Sequence, residues 1–274
     1  MIQFIYNSLY SYDDFGIIAK TVSRPLLPTR RHSEVVIPGR HGSYDFGDNT
    51  YENIVIPVVV QYINETFPDL RLRARNLAAW LSQATYKPLI FTDEPDKYYL
   101  AKIYDSASLE KIVELVPGES TTVNFECQPF AFSIDEDVMV DRLMSAVKVI
   151  SNEGTYETFP VITITAITLS GGMDRAIEVT GAFKSGNPAS VVTLTNPTIK
   201  VGDKTLVYVG TLTTGQSLEL NAETYQAVKG DSNVLSAVSG DWPVLTVGNN
   251  NITLGDTTSE LGAKVEIHFR KRWL

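Results

Sequence analysis

The feature that most constrains the fold of this chain is a long succession of short alternating strands in its second half. From Gly154 onward, nearly every segment is a few residues long, is rich in Thr and Val, and is bounded by Gly, Asn, Asp or Pro. Turn signals that recur about every 8–12 residues are typical of β-sandwiches and jelly rolls. We therefore expect a sandwich or a jelly roll here. Its predicted strands are 160–167, 176–181, 190–196, 217–221, 244–247 and 263–269.

One helix interrupts a first half that is otherwise predicted to be β. Between Thr66 and Ala84, apolar residues recur at the helical period and charged residues fall elsewhere. Thr66 is a suitable N-cap, with Pro68 in the first turn and Asp69 near the positive end of the helix dipole. The fold class is thus mainly β with a single helix. The strands predicted after the helix are 89–95, 98–106, 109–115 and 121–130.

Two side chains of the first half are predicted to be structural rather than reactive. Cys127 shares one face of its strand with Val123 and Phe125, which places it in a core. It is the only cysteine, so the chain cannot form an internal disulfide or a cluster of thiols around zinc. Trp80 lies beside Leu81 on the inward side of the predicted helix, where a core role is commoner than ligand binding.

The chain is long enough for two domains. It has 274 residues, which is long for one all-β unit and leaves each half enough length to bury its own core. Residues 133–153 carry an acidic cluster that is typical of a passage between domains. We place the domains at 1–133 and 134–274.

The negative net charge argues against a protein that binds nucleic acid. The formal net charge is −9, and no stripe of Lys and Arg could neutralise the phosphates of DNA or RNA. An acidic wall would instead let DNA pass without binding. Three arginines on the predicted helix, Arg71, Arg73 and Arg75, are expected to solubilise its outer face or to pair with acidic neighbours. Because no secretion signal or membrane-spanning apolar run is present, we expect cytoplasmic synthesis and no membrane insertion.

The sequence lacks the motifs of common catalytic sites. It contains no G-x-S-x-G nucleophile elbow and no phosphate-binding G-x-x-x-x-G-K-[ST] loop. His32, His41 and His268 are not spaced to put two metal ligands on one helix face or hairpin. We therefore predict no catalytic residue, no cofactor site and no metal site, and expect that the chain is not an enzyme.

Two residue sets leave an enzymatic interpretation open. His41 lies in a Gly-flanked loop near Asp45 and Asp48 and could act as a general base, although no motif supplies a nucleophile. The adjacent carboxylates at 93–94 and 135–137 suggest a glycosidase pair. We favour structural roles for both sets, because adjacent strand residues point to opposite faces and acidic linkers are usually solvated.

Trp242 is the one candidate for a sugar-binding residue. It lies in the turn 240-GDWP-243, from which its ring could be presented to a saccharide. Pro243 and the strand that follows make a packed corner an equal alternative.

Several passages, spread over almost the whole chain, together resemble one protein family. In the first half they are 37-IPGRHGSYDFG-47, a helix that ends at 80-WLSQ-83, and 90-IFTDEPDKYYLAKI-103 followed by 118-GESTTVNFECQPF-130. In the second half they are 152-NEGTYETFPVITI-164 and 239-SGDWPVLTVGNNNITL-254. In their order and spacing they resemble the distal tail proteins of phages with long non-contractile tails.

The resemblance implies both an architecture and an assembly. It implies an amino-terminal domain of the β-sandwich type with one helix and a carboxy-terminal, galectin-like β-sandwich. Copies of the protein would close into a hexameric ring at the distal end of the tail, through their amino-terminal domains. The ring would bind the tail tube protein on one face and a tail-associated fibre or lysin protein on the other, with a receptor-binding protein as a further partner. The tape measure protein and then DNA would pass through the opening of the ring.

An alternative function from another class stays open. The carboxy-terminal sandwich could bind host cell-wall saccharide as an adhesin, with Trp242 as its contact residue. A ring protein must offer two different complementary patches on each subunit, and the sequence does not locate them.

Overall fold

The computed structural model describes residues 3–32, 34–47, 50–62, 70–104, 120–141, 147–167, 193–255 and 263–274. The chain divides into two compact units, one of Met1–Ile134 with Trp273–Leu274 and the other of Asp135–Arg272. The boundary between the two units follows Ile134, and the last two residues of the chain belong to the first unit.

The first unit is built on one long antiparallel sheet. Seven of its strands follow the order β2-β1-β7-β8-β9-β6-β3, while β4 and β5 form a separate two-stranded hairpin. Their bounds are β1 (Phe4–Tyr6), β2 (Leu9–Tyr10), β3 (Ile17–Val22), β4 (Glu34–Val36), β5 (Ser43–Asp45), β6 (Ile54–Tyr62), β7 (Lys87–Phe91), β8 (Glu94–Ile103) and β9 (Ser120–Ser133).

The core of the first unit lies between this sheet and a helix, α1 (Leu70–Leu81). On β6 and β9, alternate side chains are buried, which is the period of two expected for strands with one face on a core. The helix contributes Trp80, whose ring stacks on Phe4 and on Phe15, with centroids 5.7 Å and 4.2 Å apart. The indole N–H donates to the backbone oxygen of Tyr6 at 2.7 Å, so the polar atom of this buried ring is satisfied.

The two structural assignments made from the sequence are confirmed. Trp80 and Leu81 are buried in the core of the first unit, and the Cys127 side chain is completely buried. Burial raises the pKa of the Cys127 thiol, so the thiol stays protonated. The helix ends at Leu81, before the predicted Ala84, and the predicted start at 66–69, including the cap Thr66, lies outside the described residues.

The second unit is a sandwich of two antiparallel sheets. One has the order β10-β22-β12-β17-β18-β19 and the other β11-β21-β14-β15-β20, and β13 pairs with β16. The bounds are β10 (Asp137–Asp141), β11 (Lys148–Asn152), β12 (Val161–Ala166), β13 (Thr193–Thr195), β14 (Thr198–Val201), β15 (Lys204–Tyr208), β16 (Thr211–Thr213), β17 (Ser217–Asn221), β18 (Gln226–Lys229), β19 (Ser232–Asn233), β20 (Val238–Gly240), β21 (Gly248–Gly255) and β22 (Ala263–Phe269).

Side chains from both sheets share a single core in this unit. Ile162 and Ile164 of β12 are completely buried with Ile252 of β21, and Val265 of β22 joins them. Two antiparallel sheets that share one apolar core are a β-sandwich, so the predicted fold class is confirmed. A two-residue strand, β23 (Arg272–Trp273), pairs with β9, which accounts for the return of the last residues to the first unit.

One predicted strand is wrong, and side-chain hydrogen bonds explain why. Residues 244–247 make only an isolated bridge between Leu245 and Thr158, and the strand begins at Gly248. The buried Asn152 amide donates to the backbone oxygen of Leu245 at 3.1 Å, and Asn250 bonds the backbone of Thr246. These side-chain hydrogen bonds replace the backbone hydrogen bonds that a strand would make with its neighbour. The strands predicted at 109–115 and 176–181 lie outside the described residues.

Two glycines of the second unit give a matched test of its packing. Gly240 has φ +105° and an added Cβ would lie 2.2 Å from the backbone oxygen of Thr205, whereas Gly202 has φ +58° and open space around it. We expect Gly240→Ala to lower the free energy of unfolding by more than 2 kcal/mol and Gly202→Ala by only about 1 kcal/mol, the usual cost of a left-handed Ala. Chemical denaturation followed by circular dichroism measures both. Equal losses would contradict the close approach at Gly240.

Candidate assembly surface

The hairpin of β4 and β5 stands apart from both cores, and we name residues 34–47 the arm. Its strands pair through Glu34↔Asp45, Val35↔Tyr44 and Val36↔Ser43. The turn between them contains Gly39 and Gly42, at φ +84° and +77°, which are conformations that favour glycine. The Gly-rich passage in the sequence is therefore the tip of a hairpin.

The arm exposes apolar side chains on both of its faces. Successive strand residues point to opposite faces, yet Val35 and Val36 are 48% and 76% exposed. Phe46 is 63% exposed, and Ile37 and Tyr44 are exposed as well. Just before the arm, Leu26 and Leu27 are also exposed. Contiguous exposed apolar residues of this kind mark interaction surfaces in soluble proteins.

Side-chain contacts join several of the described residues of the arm. Tyr44 and Phe46 meet edge to face at 4.8 Å, the Arg40 guanidinium lies 5.6 Å from the Tyr44 ring, and the Ser43 hydroxyl donates to Glu34 at 2.6 Å. An isolated two-stranded hairpin is at best marginally stable in water. Even with these contacts, Val36 and Phe46 remain mostly exposed to solvent.

A polar cluster surrounds the Glu126 carboxylate on β9. Asn53, just before β6, donates to this carboxylate at 2.6 Å, and Tyr86 donates to the same oxygen at 3.1 Å. Lys102 lies 3.2 Å from the other oxygen. Burial by itself raises the pKa of the Glu126 carboxyl, but hydrogen bonds from Asn53, Lys102 and Tyr86 outweigh burial and hold this pKa below its usual value.

A second exposed apolar surface lies at β2 and the turn that follows it. Leu9, Tyr10 and Tyr12 are each between 40% and 45% exposed. Asp13 and Asp14 flank them; Asp14 accepts from the Tyr10 backbone N–H at 2.7 Å, and Asp13 accepts from the Gln3 amide at 3.0 Å. We name residues 9–14 the β2 patch. It is at once apolar, aromatic and acidic.

The sugar-binding candidate, Trp242, lies in a corner of the second unit with one aromatic neighbour. Its ring is partly buried against the core, and Tyr225 meets it edge to face at 5.6 Å. Tyr225 is 56% exposed and has φ +54°, which is rare for a bulky residue. One side of the Trp242 ring is thus packed against the core. Sequence reasoning missed Tyr225, because a turn residue carries no pattern that reveals a left-handed backbone.

The residues considered for catalysis do not form one site among the parts of the chain that the structure describes. His41 is exposed at the tip of the arm, while the side chain of Asp45 and all of Asp48 lie outside the described residues. Asp93 and Glu94 both pair with Arg24, the latter at 2.8 Å, so these two carboxylates are engaged in ion pairs.

The remaining candidates from the sequence lie as follows. His268 lies 3.2 Å from Glu136, and Asp137 lies 3.5 Å from Lys271. Among the described residues, no group of three His, Cys, Asp or Glu side chains could hold a metal ion. Within the same ranges, no helix has both the length and the apolar composition needed to cross a membrane. Arg75 is exposed, as expected, and the side chains of Arg71 and Arg73 lie outside the described set.

Comparison with known families gives a match for the part of the chain that contains the arm. Residues 16–127 match the family model described as a phage tail protein RIFT-related domain. This range begins at the start of β3, includes the arm and α1, and ends within β9. Residues 16–127 of the first unit are therefore similar to a domain of phage tail proteins.

Comparison with solved structures extends the likeness to the complete chain. The fold is similar to the crystal structure of the SPP1 Dit (gp 19.1) protein, described as a paradigm of the hub adsorption apparatus in phages that infect Gram-positive hosts. The TM-score is 0.70 at 17% identity, over 100% of each chain, and this likeness establishes a shared fold. No curated protein matches the chain. The domain and the fold together confirm the resemblance to siphophage distal tail proteins.

The polar cluster around Glu126 predicts a pH-dependent contribution to stability. A carboxyl whose pKa is lower in the folded state stabilises the fold above its unfolded pKa, and this contribution is lost as the pH falls through the folded value. Glu126→Gln should therefore melt below wild type at neutral pH, and the difference should shrink as the pH falls below 4.5. Thermal melts across this range measure it, with Glu52→Gln, an exposed neighbour, as the control. A difference that does not change with pH would show that the carboxylate charge plays no part.

Proposed function

We propose that this protein is a non-enzymatic structural component at the distal end of a phage tail. Its copies close into a hexameric ring that joins the tail tube protein to the tail-associated fibre or lysin protein. A receptor-binding protein is a further partner, and DNA passes through the opening without binding. The net charge of −9 supports this last role, because an acidic wall repels the phosphates of passing DNA.

The observation that carries the proposal is the exposed arm within a phage tail domain. The arm cannot bury its apolar side chains on its own unit, because both of its faces are exposed. A partner that covers these side chains would remove them from water and stabilise the assembled form. The shared fold with the SPP1 Dit protein, described as part of a hub, supports a partner of the same assembly.

The chemistry of the described side chains agrees with a structural role. The Cys127 thiol is buried and protonated, the Asp93 and Glu94 carboxylates are paired with Arg24, and His41 lies at an exposed tip. A general acid or base must lie within hydrogen-bonding reach of a bound substrate, and nucleophiles need an adjacent base. These residues form no such arrangement with one another.

Mass measurement of the purified protein tests the ring. We expect wild type to form hexamers by mass photometry, and Val36→Asp to shift the population toward monomers, because it puts a charge into the covered surface of the arm. Val209→Asp is the matched control: Val209 is 59% exposed but belongs to the second unit. It should leave the mass unchanged.

Electron microscopy of the same samples gives an independent readout. Wild-type particles should appear as rings with a central opening, and Val36→Asp particles should not. A wild type that stays monomeric at high concentration, and that binds neither purified tail tube protein nor the fibre protein, would overturn the proposal.

A second function, saccharide binding by the second unit, is favoured by one observation. Tyr225 keeps a large exposed ring in a left-handed conformation that costs roughly 1–2 kcal/mol for a residue other than glycine. Strain of this kind is often retained where a side chain is used. Tyr225 and Trp242 present two perpendicular aromatic rings, 87° apart in plane, as walls for a pyranose.

A substitution at Tyr225 separates binding from packing. We expect Tyr225→Gly to abolish retention of host cell-wall fragments while keeping or raising thermal stability, because glycine relieves the left-handed strain. Trp242→Ala is a poorer probe, since Trp242 also packs on the core. Binding is measured by titration calorimetry with wall saccharides. If wild type and Tyr225→Gly bind equally, or if neither binds, the adhesin function is excluded for this corner.

A further inference from the structure

We infer that residues 272–274 form a strap that completes the first unit, and that the folded second unit holds this strap in place. The chain leaves the first unit after Ile134 and returns to it at Trp273, so the second unit is inserted in the sequence between two parts of the first. The inference concerns a single chain and does not depend on the proposed ring.

The strap adds a strand to the sheet of the first unit. β6 pairs with residues 120–127 of β9, and β23 also pairs with β9. A strand edge whose N–H and C=O groups lack partners is a place where a sheet pairs with other chains. β23 therefore contributes backbone hydrogen bonds that help to hold β9 in the sheet.

The ring of Trp273 is also anchored on the first unit. The Lys97 ammonium nitrogen lies 4.8 Å from the centroid of this ring and forms ion pairs with Glu94 and Asp96, each at 3.0 Å. The Lys97 side chain is only 17% exposed, and a cation–π contact is stronger where the cation is partly removed from water. Lys97 thus holds the ring of Trp273 against β8.

The chain leaves and re-enters the first unit at one place. The Ile134 backbone N–H donates to the backbone oxygen of Asp96 at 3.0 Å. Asp96 precedes Lys97, which contacts the ring of Trp273. When two points of a domain lie close together, a folded segment can be inserted between them without disturbing the domain.

The second unit brings its own two ends together. Its first strand, β10, pairs with β22, so that Asp137 lies opposite Phe269. Closing a long flexible loop costs conformational entropy, and the cost rises with the length of the loop. Once the second unit has folded, this cost no longer opposes the return of the chain to the first unit.

The residue that leads into the strap is held by the second unit. The Thr155 backbone N–H donates to the backbone oxygen of Arg272 at 2.9 Å, and the Arg272 guanidinium donates to Glu223 at 2.6 Å. Gly154 approaches so closely that an added Cβ would lie 2.9 Å from the backbone nitrogen of Arg272 and nearer still to its oxygen. Because Trp273 is the next residue, unfolding of the second unit would release the strap.

The thiol of Cys127 provides a readout of the first unit. Cys127 is the only cysteine, it lies on β9, and its side chain is completely buried. A maleimide can therefore reach this thiol only when the sheet opens. The rate of labelling measures how often opening occurs.

Substitution of Trp273 tests the strap. We expect Trp273→Ala to raise the labelling rate of Cys127 about ten-fold, because the strap loses its aromatic anchor. Trp273→Phe keeps a ring beside Lys97 and should retain most of the protection. Tyr225→Gly, which removes an exposed ring of the second unit, is the control and should label like wild type.

A matched pair of glycine variants tests whether the second unit holds the strap. Gly154→Ala should displace the backbone of Arg272 and raise the labelling rate of Cys127 several-fold, although the substitution lies in the second unit. At Gly255 an added Cβ meets no described atom within 4 Å, so Gly255→Ala should label like wild type. In the Trp273→Ala background, Gly154→Ala should add less than it does in wild type, because both changes act through the strap.

Circular dichroism in the far ultraviolet establishes that each variant is folded before labelling. If Trp273→Ala does not fold, the milder Lys97→Gln, which removes the cation beside the ring, takes its place and should also label faster than wild type. Labelling of the folded variant at the wild-type rate would show that the strap does not complete the first unit. Wild-type labelling of Gly154→Ala would show that the second unit does not hold the strap. Either result overturns the inference and leaves the proposed ring untouched.

Discussion

Burial of alternate apolar side chains along the longer strands is the interaction on which the rest of this structure depends. In the first unit it joins β6 and β9 to the helix through Trp80, and in the second it joins two sheets through residues such as Ile162 and Ile252. Hydrophobic burial is non-directional, so a fold is specified only when the alternation agrees with the register of each strand. Both units meet this condition, which leaves each with its own core.

The arm and the β2 patch are exceptions to this pattern, and the proposed function rests on the arm. Both surfaces leave large apolar side chains exposed to solvent, among them Val36, Phe46 and Tyr10. An enzyme concentrates its unusual features in a concave site with perturbed titratable groups. Here the features that depart from the pattern are exposed apolar side chains, which are typical of surfaces that bind other proteins. The match of residues 16–127 to a phage tail protein RIFT-related domain and the fold shared with the SPP1 Dit protein support the structural role proposed above.

Sequence reasoning succeeded where the local pattern and the tertiary environment agree. Cys127 and Trp80 were assigned to a core from strand alternation and helical position, and both are buried. It failed at 244–247, where Asn152 and Asn250 satisfy the backbone with side-chain hydrogen bonds that no periodicity reveals. It also placed Pro243 and Trp242 in a corner but did not find Tyr225. The contact between Tyr225 and Trp242 joins two turns that are separate in the chain.

The sequence by itself determined the mainly β class, the single helix, the acidic charge and the resemblance to phage tail proteins, because period, composition and the order of motifs are local or additive properties. The tertiary structure alone decided that the Gly-rich passage is an arm exposed on both faces, and that it leaves the sheet at the end away from β2. Exposure and strand order depend on contacts between residues far apart in the chain, and these contacts exist only once the sheet has formed.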